Sequence, residues 1–118
     1  MAPILDGPRE DGNISEILMS AFEPLLTLKL SIQRALLGEV TGRLVGVTCG
    51  LKERQIQIRA YMSGIVSKQD IERIGSIGAE VIADFPDGFT IDESCVSADG
   101  IEPEMLDFWA FLKQRNDT

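Results

Sequence analysis

The sequence contains no histidine, only two cysteines, one tryptophan and one tyrosine, and eleven basic residues against nineteen acidic ones. Absence of histidine removes the commonest general base, the usual activator of a nucleophile and the commonest metal ligand at once. Cys49 and Cys95 lie far apart and form no CxxC pair, so they read as buried small hydrophobes rather than as a redox or zinc motif. No apolar run approaches the ~20 residues that cross a bilayer, and no basic segment followed by an apolar one opens the chain. These absences suggest a cytoplasmic protein with no membrane contact.

A net charge of -8 repels phosphate backbones, which argues against nucleic acid as a direct ligand. Asp92, Glu93 and Asp99 offer oxygen ligands within one short stretch, but the spacing of a calcium loop is missing, so no metal is expected. Glycines 38, 42, 46 and 50 recur every four residues. None of them opens a helix after a strand, so they read as turns and strand breaks and not as a phosphate cradle. Asp84 and Asp87, flanking Phe85 and Pro86, could be argued as an acid and a base, yet turn chemistry explains them more simply. The chain therefore reads as a non-enzyme without a cofactor.

What is present belongs to a globular domain: 118 residues, 44% hydrophobic and 25% charged, enough for one core and not for two. Residues 1–13, with Pro3, Gly7, Pro8 and Gly12, read as a flexible lead-in, and 14–118 as a single α+β domain. From Ile14 to Leu36 apolar residues keep helical spacing, with Asn13 as N-cap and Gly38 as C-cap. Pro24 inside that run predicts a kink, or two helices meeting near Glu23. Arg43–Cys49 and Gln55–Tyr61 read as a hairpin with a loop from Gly50 to Arg54. Ser67 and Asp70 mark the start of a second helix, which Pro86 and Gly88 end near Phe85. Phe89–Val96 and Met105–Lys113 read as strands, with a helix as the rival over 104–115. The order α-β-β-α-β-β predicts two helices on one face of a four-stranded, mainly antiparallel sheet.

Charge is distributed unevenly. Between Arg73 and Lys113 there is no basic residue, while nine acids fall in the interval: Glu80, Asp84, Asp87, Asp92, Glu93, Asp99, Glu102, Glu104 and Asp107. Such a run is either a solvated face or a docking surface for a basic partner. On the second reading Asp84, Asp87, Asp92, Glu93, Asp99, Glu102 and Glu104 bind the partner, with Phe108 and Trp109 as aromatic anchors or as core.

Three stretches carry a resemblance: Ser31 to Val40, Ile56 to Tyr61 and Glu80 to Phe85, with Trp109 as a further match in the last strand. Together they resemble small bacterial immunity proteins of contact-dependent growth-inhibition systems. The resemblance implies a cytoplasmic inhibitor that binds a cognate toxin domain, a basic nuclease being the expected kind, and occludes its active-site or substrate face. It carries over no contact residue; the acids above rest on charge alone. A non-enzymatic adaptor or self-associating module, including a homodimer, stays open as the alternative.

Overall fold

The computed structural model describes residues 14–114, with side chains from 23 onward. Asn13, the 1–13 lead-in and the last four residues lie outside the described part. Two helices and four strands follow in the order α1 (Ile14–Ala35), β1 (Leu44–Lys52), β2 (Gln55–Met62), α2 (Lys68–Ile82), β3 (Thr90–Ser97) and β4 (Phe108–Leu112). The α-β-β-α-β-β order is the one the sequence predicts. The segment around Phe108 is a strand, so the helical rival over 104–115 is set aside.

The sheet runs β3-β2-β1-β4 and is mixed but mainly antiparallel: β1 pairs antiparallel with β2 and β4, while β2 and β3 are parallel. Period-two alternation assigns the faces. Ile56, Ile58, Ala60 and Met62 of β2 join Val47 and Cys49 of β1, Leu28, Ile32 and Ala35 of α1, and Ile74, Ile77 and Val81 of α2 in one core. Both helices therefore cover the same face. Cys49 is wholly inside, and burial pushes its thiol up to about 12, so it is inert at neutral pH. Cys95, on β3, is separated from it by the width of β2, and both thiols are free.

Two expectations change. α1 runs through Pro24 as one helix of 22 residues, so two helices do not meet near Glu23. The turn after it includes Gly38 at φ +78, where glycine carries no steric penalty. The hairpin loop is also shorter than Gly50 to Arg54: pairing continues to Lys52 and Gln55, leaving Glu53 and Arg54 as the turn, with Glu53 at φ 57. Gly46 and Gly50 are thus interior residues of β1 and not strand breaks.

The reason lies on the face away from the helices. β3 and β4 point the same way on opposite edges of the sheet, so residues 98–107 must cross the outer face of β2 and β1 to connect them. Along its middle, β1 carries Gly46, Thr48 and Gly50 on that face, small enough for backbone to lie on it. A Cβ on Gly46 would stand 2.8 Å from the Trp109 ring, and one on Gly50 3.2 Å from Leu106. The Thr48 hydroxyl accepts from the Leu106 N–H at 2.8 Å and donates to the Phe108 carbonyl at 2.7 Å. The Tyr61 hydroxyl clasps Glu104 likewise, accepting from its N–H at 3.0 Å and donating to its carbonyl at 3.1 Å. Between Val47 and Thr48 the register with β4 slips by one residue, leaving Ala110 as a bulge whose carbonyl accepts from Gln33 of α1 at 2.7 Å.

At the start of α2, Ser67 and Asp70 form a reciprocal capping box: Asp70 N–H donates to Ser67 Oγ at 3.1 Å and Ser67 N–H to Asp70 Oδ2 at 2.8 Å. Arg43 adds an ion pair to Asp70 at 2.6 Å. Ser67→Ala should destabilise the domain by about 1 kcal/mol in urea titration. The Ser67 N–H and Arg43 hold the Asp70 carboxyl below the usual aspartate range. Its stabilising effect is complete above the ordinary aspartate pKa of about 4 and is lost as pH falls through the lower folded value. Asp70→Asn should flatten that acid limb of the stability curve; an unchanged limb would assign it to other carboxylates.

Candidate partner-binding site

The seven acids singled out by sequence occupy three places. α2 ends at Ile82, three residues earlier than the expected stop near Phe85, and Asp84 and Asp87 lie in the turn that follows, where Gly88, at φ +98, reverses the chain. Asp84 faces back to α1, accepting the Ser31 hydroxyl at 2.6 Å and pairing with Arg34. It joins the two helices as well as carrying charge. Asp87 is exposed.

Asp92 and Glu93 are consecutive in β3, so they point to opposite faces. Asp92 lies across from Gln57 on the outer face and is exposed. Glu93 lies across from Ile58 on the helix side, half-buried beneath α2, with its carboxyl group where a Cβ of Gly78 would otherwise stand. Desolvation there, and then the neighbouring Asp92 charge, push the Glu93 carboxyl above the ordinary glutamate range. Its sign is opposite to that of Asp70: the folded state binds the proton more tightly, so stability falls as pH rises through the interval between the ordinary and the raised value.

Asp99, Glu102 and Glu104 lie on the crossing segment. Asp99 Oδ1 accepts the Gly64 N–H at 3.1 Å, fixing the start of the segment to the end of β2. Glu104 is held by its backbone to Tyr61, which leaves its side chain exposed. Glu102 borders an open groove of about 640 Å³ with Pro103, Trp109 and Val45. The structure thus brings Asp92, Glu102 and Glu104 onto the outer layer, sets Asp84 and Asp87 at one end of α2, and places Glu93 on the helix side. Arg59 of β2 enters the outer layer too, with Nη1 3.5 Å from the Tyr61 hydroxyl, Lys113 lines the groove of Glu102 and Trp109, and Arg54 lies 3.0 Å from where a Cβ of Gly88 would stand, so the cation-free interval of the sequence is not cation-free in space.

The two aromatics divide. Phe108 turns to the helix side, packs against the core and lies 5.4 Å beneath the Lys29 ammonium. Trp109 turns outward, with its ring 6.1 Å from that of Tyr61, and remains half-exposed in the groove beside Glu102. Of the pair, Trp109 is the one on the outer side of the sheet.

Three residues that composition and charge did not single out also shape the surface. Ile71, Gly75 and Gly78 face β3 from α2, and with Glu93 and Cys95 the first two line a small groove. Two glycines three apart inside an amphipathic helix were the available signal, since each weakens a helix and so marks a close approach. Among the described residues no His, Cys, Asp or Glu group converges as a metal site would require, and no helix is long and apolar enough to cross a membrane.

Residues 26–115, from α1 just past Pro24 to beyond β4, match the family described as MafI2 immunity protein. A comparison with curated proteins finds no match.

Proposed function

The chain belongs to the MafI2 immunity protein family, a bacterial toxin-immunity family, and from that premise we propose that it captures a basic toxin domain by charge and covers its active-site or substrate face. Immunity proteins of this kind act by binding a cognate toxin and not by chemistry. The finer reading is that the toxin is a nuclease whose cationic substrate face meets the exposed carboxylates Asp87, Asp92, Asp99, Glu102 and Glu104; Asp84, paired with Arg34, and Glu93, on the opposite face of the sheet, lie outside that surface. Its resemblance to growth-inhibition immunity proteins extends the proposal to a toxin delivered by a neighbouring cell and met in the cytoplasm.

One observation carries it: a net charge of -8, with nine acids and no base from residue 74 to 112. A nuclease must attract phosphate and therefore presents the complementary sign. The long-range field of such a pair raises encounter rates by roughly 10- to 10³-fold over neutral surfaces. Trp109 in its groove supplies an apolar anchor inside a charged rim.

The test uses a candidate basic toxin domain, sought in the reading frames adjacent to this gene, mixed with the chain in stopped flow. Replacing Asp87, Asp92, Glu102 and Glu104 together by their amides should leave the fold intact and slow association about tenfold at low salt. Raising salt to physiological strength should slow the unsubstituted chain as well, because exposed charges are screened beyond ~8 Å. An association rate indifferent to both would sink the charge reading and leave an apolar interface in its place.

A further inference from the structure

β3 is an outer strand of the sheet, and its far edge has no strand partner among the described residues. It is eight residues long and contains no proline, lysine or arginine; its charged guards against pairing are two carboxylates, Asp92 and the inward-pointing Glu93, which repel an acidic strand and not a basic one. The bonds to β2 show which groups are spare. Thr90 N–H donates to the Arg54 carbonyl at 2.9 Å and Ala98 N–H to the Met62 carbonyl at 2.7 Å. With a two-residue period, positions 90, 92, 94, 96 and 98 point into the sheet, and Ile91, Glu93, Cys95 and Ser97 point their N–H and C=O groups outward, the Glu93 N–H donating to its own carboxylate.

Beside that edge, Ile71, Ile74 and Gly75 of α2 and Glu93 and Cys95 of β3 enclose a groove of about 130 Å³, the size of one long side chain. Its rim includes Ile71, an isoleucine left 57% exposed. Gly78 has a reason within the chain, because the Glu93 side chain occupies the space of its Cβ. Gly75 has none: nothing lies within 4 Å of where its Cβ would be. A glycine inside a helix costs about 1 kcal/mol relative to alanine. At position 75 that cost keeps the groove open. Inside it Glu93 is half-buried, and none of the ion pairs of the described residues neutralises it.

Charge decides what fits the edge. A second copy pairing antiparallel about Asp92 or Glu93 would set identical carboxylates directly opposite, and pairing about Ser94 would set the two Glu93 side chains diagonal at ~7–8 Å, all unfavourable; pairing about Cys95 escapes the repulsion by setting Glu93 opposite Ser97, but leaves each Glu93 without a cation. A strand bearing Lys or Arg reverses the sign of each contact. We propose, building on the immunity reading, that the toxin docks by adding an edge strand to β3, with a Lys or Arg of that strand entering the α2–β3 groove against Glu93. The strand supplies backbone partners for residues 91, 93, 95 and 97, and the cation supplies specificity.

The test compares amide hydrogen exchange of the free chain with that of its complex with a toxin domain that it inhibits, sought in the adjacent reading frames. The amides of Ile91, Glu93, Cys95 and Ser97 should slow at least about tenfold on binding, while those of 92, 94 and 96 are already slow in the free chain. A complex that forms with the outward amides unchanged overturns strand addition and leaves the immunity reading standing. Absence of both a complex and toxin inhibition counts against the immunity reading itself. Gly75→Leu should not lower the melting temperature of the free chain, yet should raise Kd at least about tenfold by filling the groove; an unchanged Kd overturns the groove's role. Glu93→Gln should weaken binding in the same direction, and equal affinity would remove the cation from the proposal. The free chain should sediment as a monomer, and a stable dimer that protects the same four amides overturns the choice of occupant.

Discussion

Thr48→Val should destabilise the domain by about 2–4 kcal/mol, a large share of the ~5–15 kcal/mol that holds a domain of this size together. Valine has the same shape, so no cavity is opened, and the effect isolates the hydroxyl. That hydroxyl is fully buried and serves two backbone groups of the crossing segment, the Leu106 N–H and the Phe108 carbonyl. Without it both lose their partner in a part-buried position, and an unsatisfied buried group costs about 1–3 kcal/mol. Thr48→Ser keeps both bonds and removes one methyl, so it should cost no more than about 1 kcal/mol. Urea titration of the three proteins decides the matter. Equal midpoints for the valine variant and the parent would mean that the segment does not depend on Thr48.

Gly46→Val should be at least as damaging, at about 3 kcal/mol, for the opposite reason of excess volume. Even a bare Cβ at position 46 meets the Trp109 ring at 2.8 Å, Leu112 at 3.2 Å and the Phe111 carbonyl at 3.3 Å, and the last of these is backbone and cannot swing aside. Trp109 is itself braced by Tyr61. Strand preference for valine and the loss of glycine's freedom in the unfolded chain oppose this by less than about 1 kcal/mol each. A companion Gly46→Val, Trp109→Ala protein should recover part of the loss, since the ring is the first obstacle. No recovery would place the obstacle in the β4 backbone. The tryptophan fluorescence of Gly46→Val should change with the fold, giving a second readout of ring displacement.

These two positions mark where reading the chain falls short. In one dimension Gly46, Thr48 and Gly50 are unremarkable, and a glycine in a β-branched run suggests a break. Their spacing of two is the clue to a crowded face, but only the parallel pairing of β3 with β2 creates the need for it. That pairing forces residues 98–107 back across the sheet. The helix-facing half was far more legible: Ile56 and Ile58, then Ile74, Ile77 and Val81, fall in the core as their periodicity requires. Ser67 and Asp70 announce the second helix through short-range bonds that need no tertiary context.

The acids show the same division. Their number and sign were plain, and so was the absence of bases near them in sequence. Their grouping was not, because neighbours in a strand point to opposite faces and because Arg34 and Arg59 reach the acidic region from other elements.

The sequence by itself determined the order of the first five elements, the buried helix-facing stripe and the net charge, since these depend on periodicity, local bonds and composition within a few residues, while the strand at Phe108–Leu112 and the unbroken α1 were decided by packing. Tertiary structure alone decided that β3 is an open edge, that Glu93 lies under α2 while Asp92 lies outside, and that the outer face of β1 is covered by chain. Each of these depends on which strands pair and in which direction, and that choice is made by the summed burial and hydrogen bonding of residues far apart in sequence.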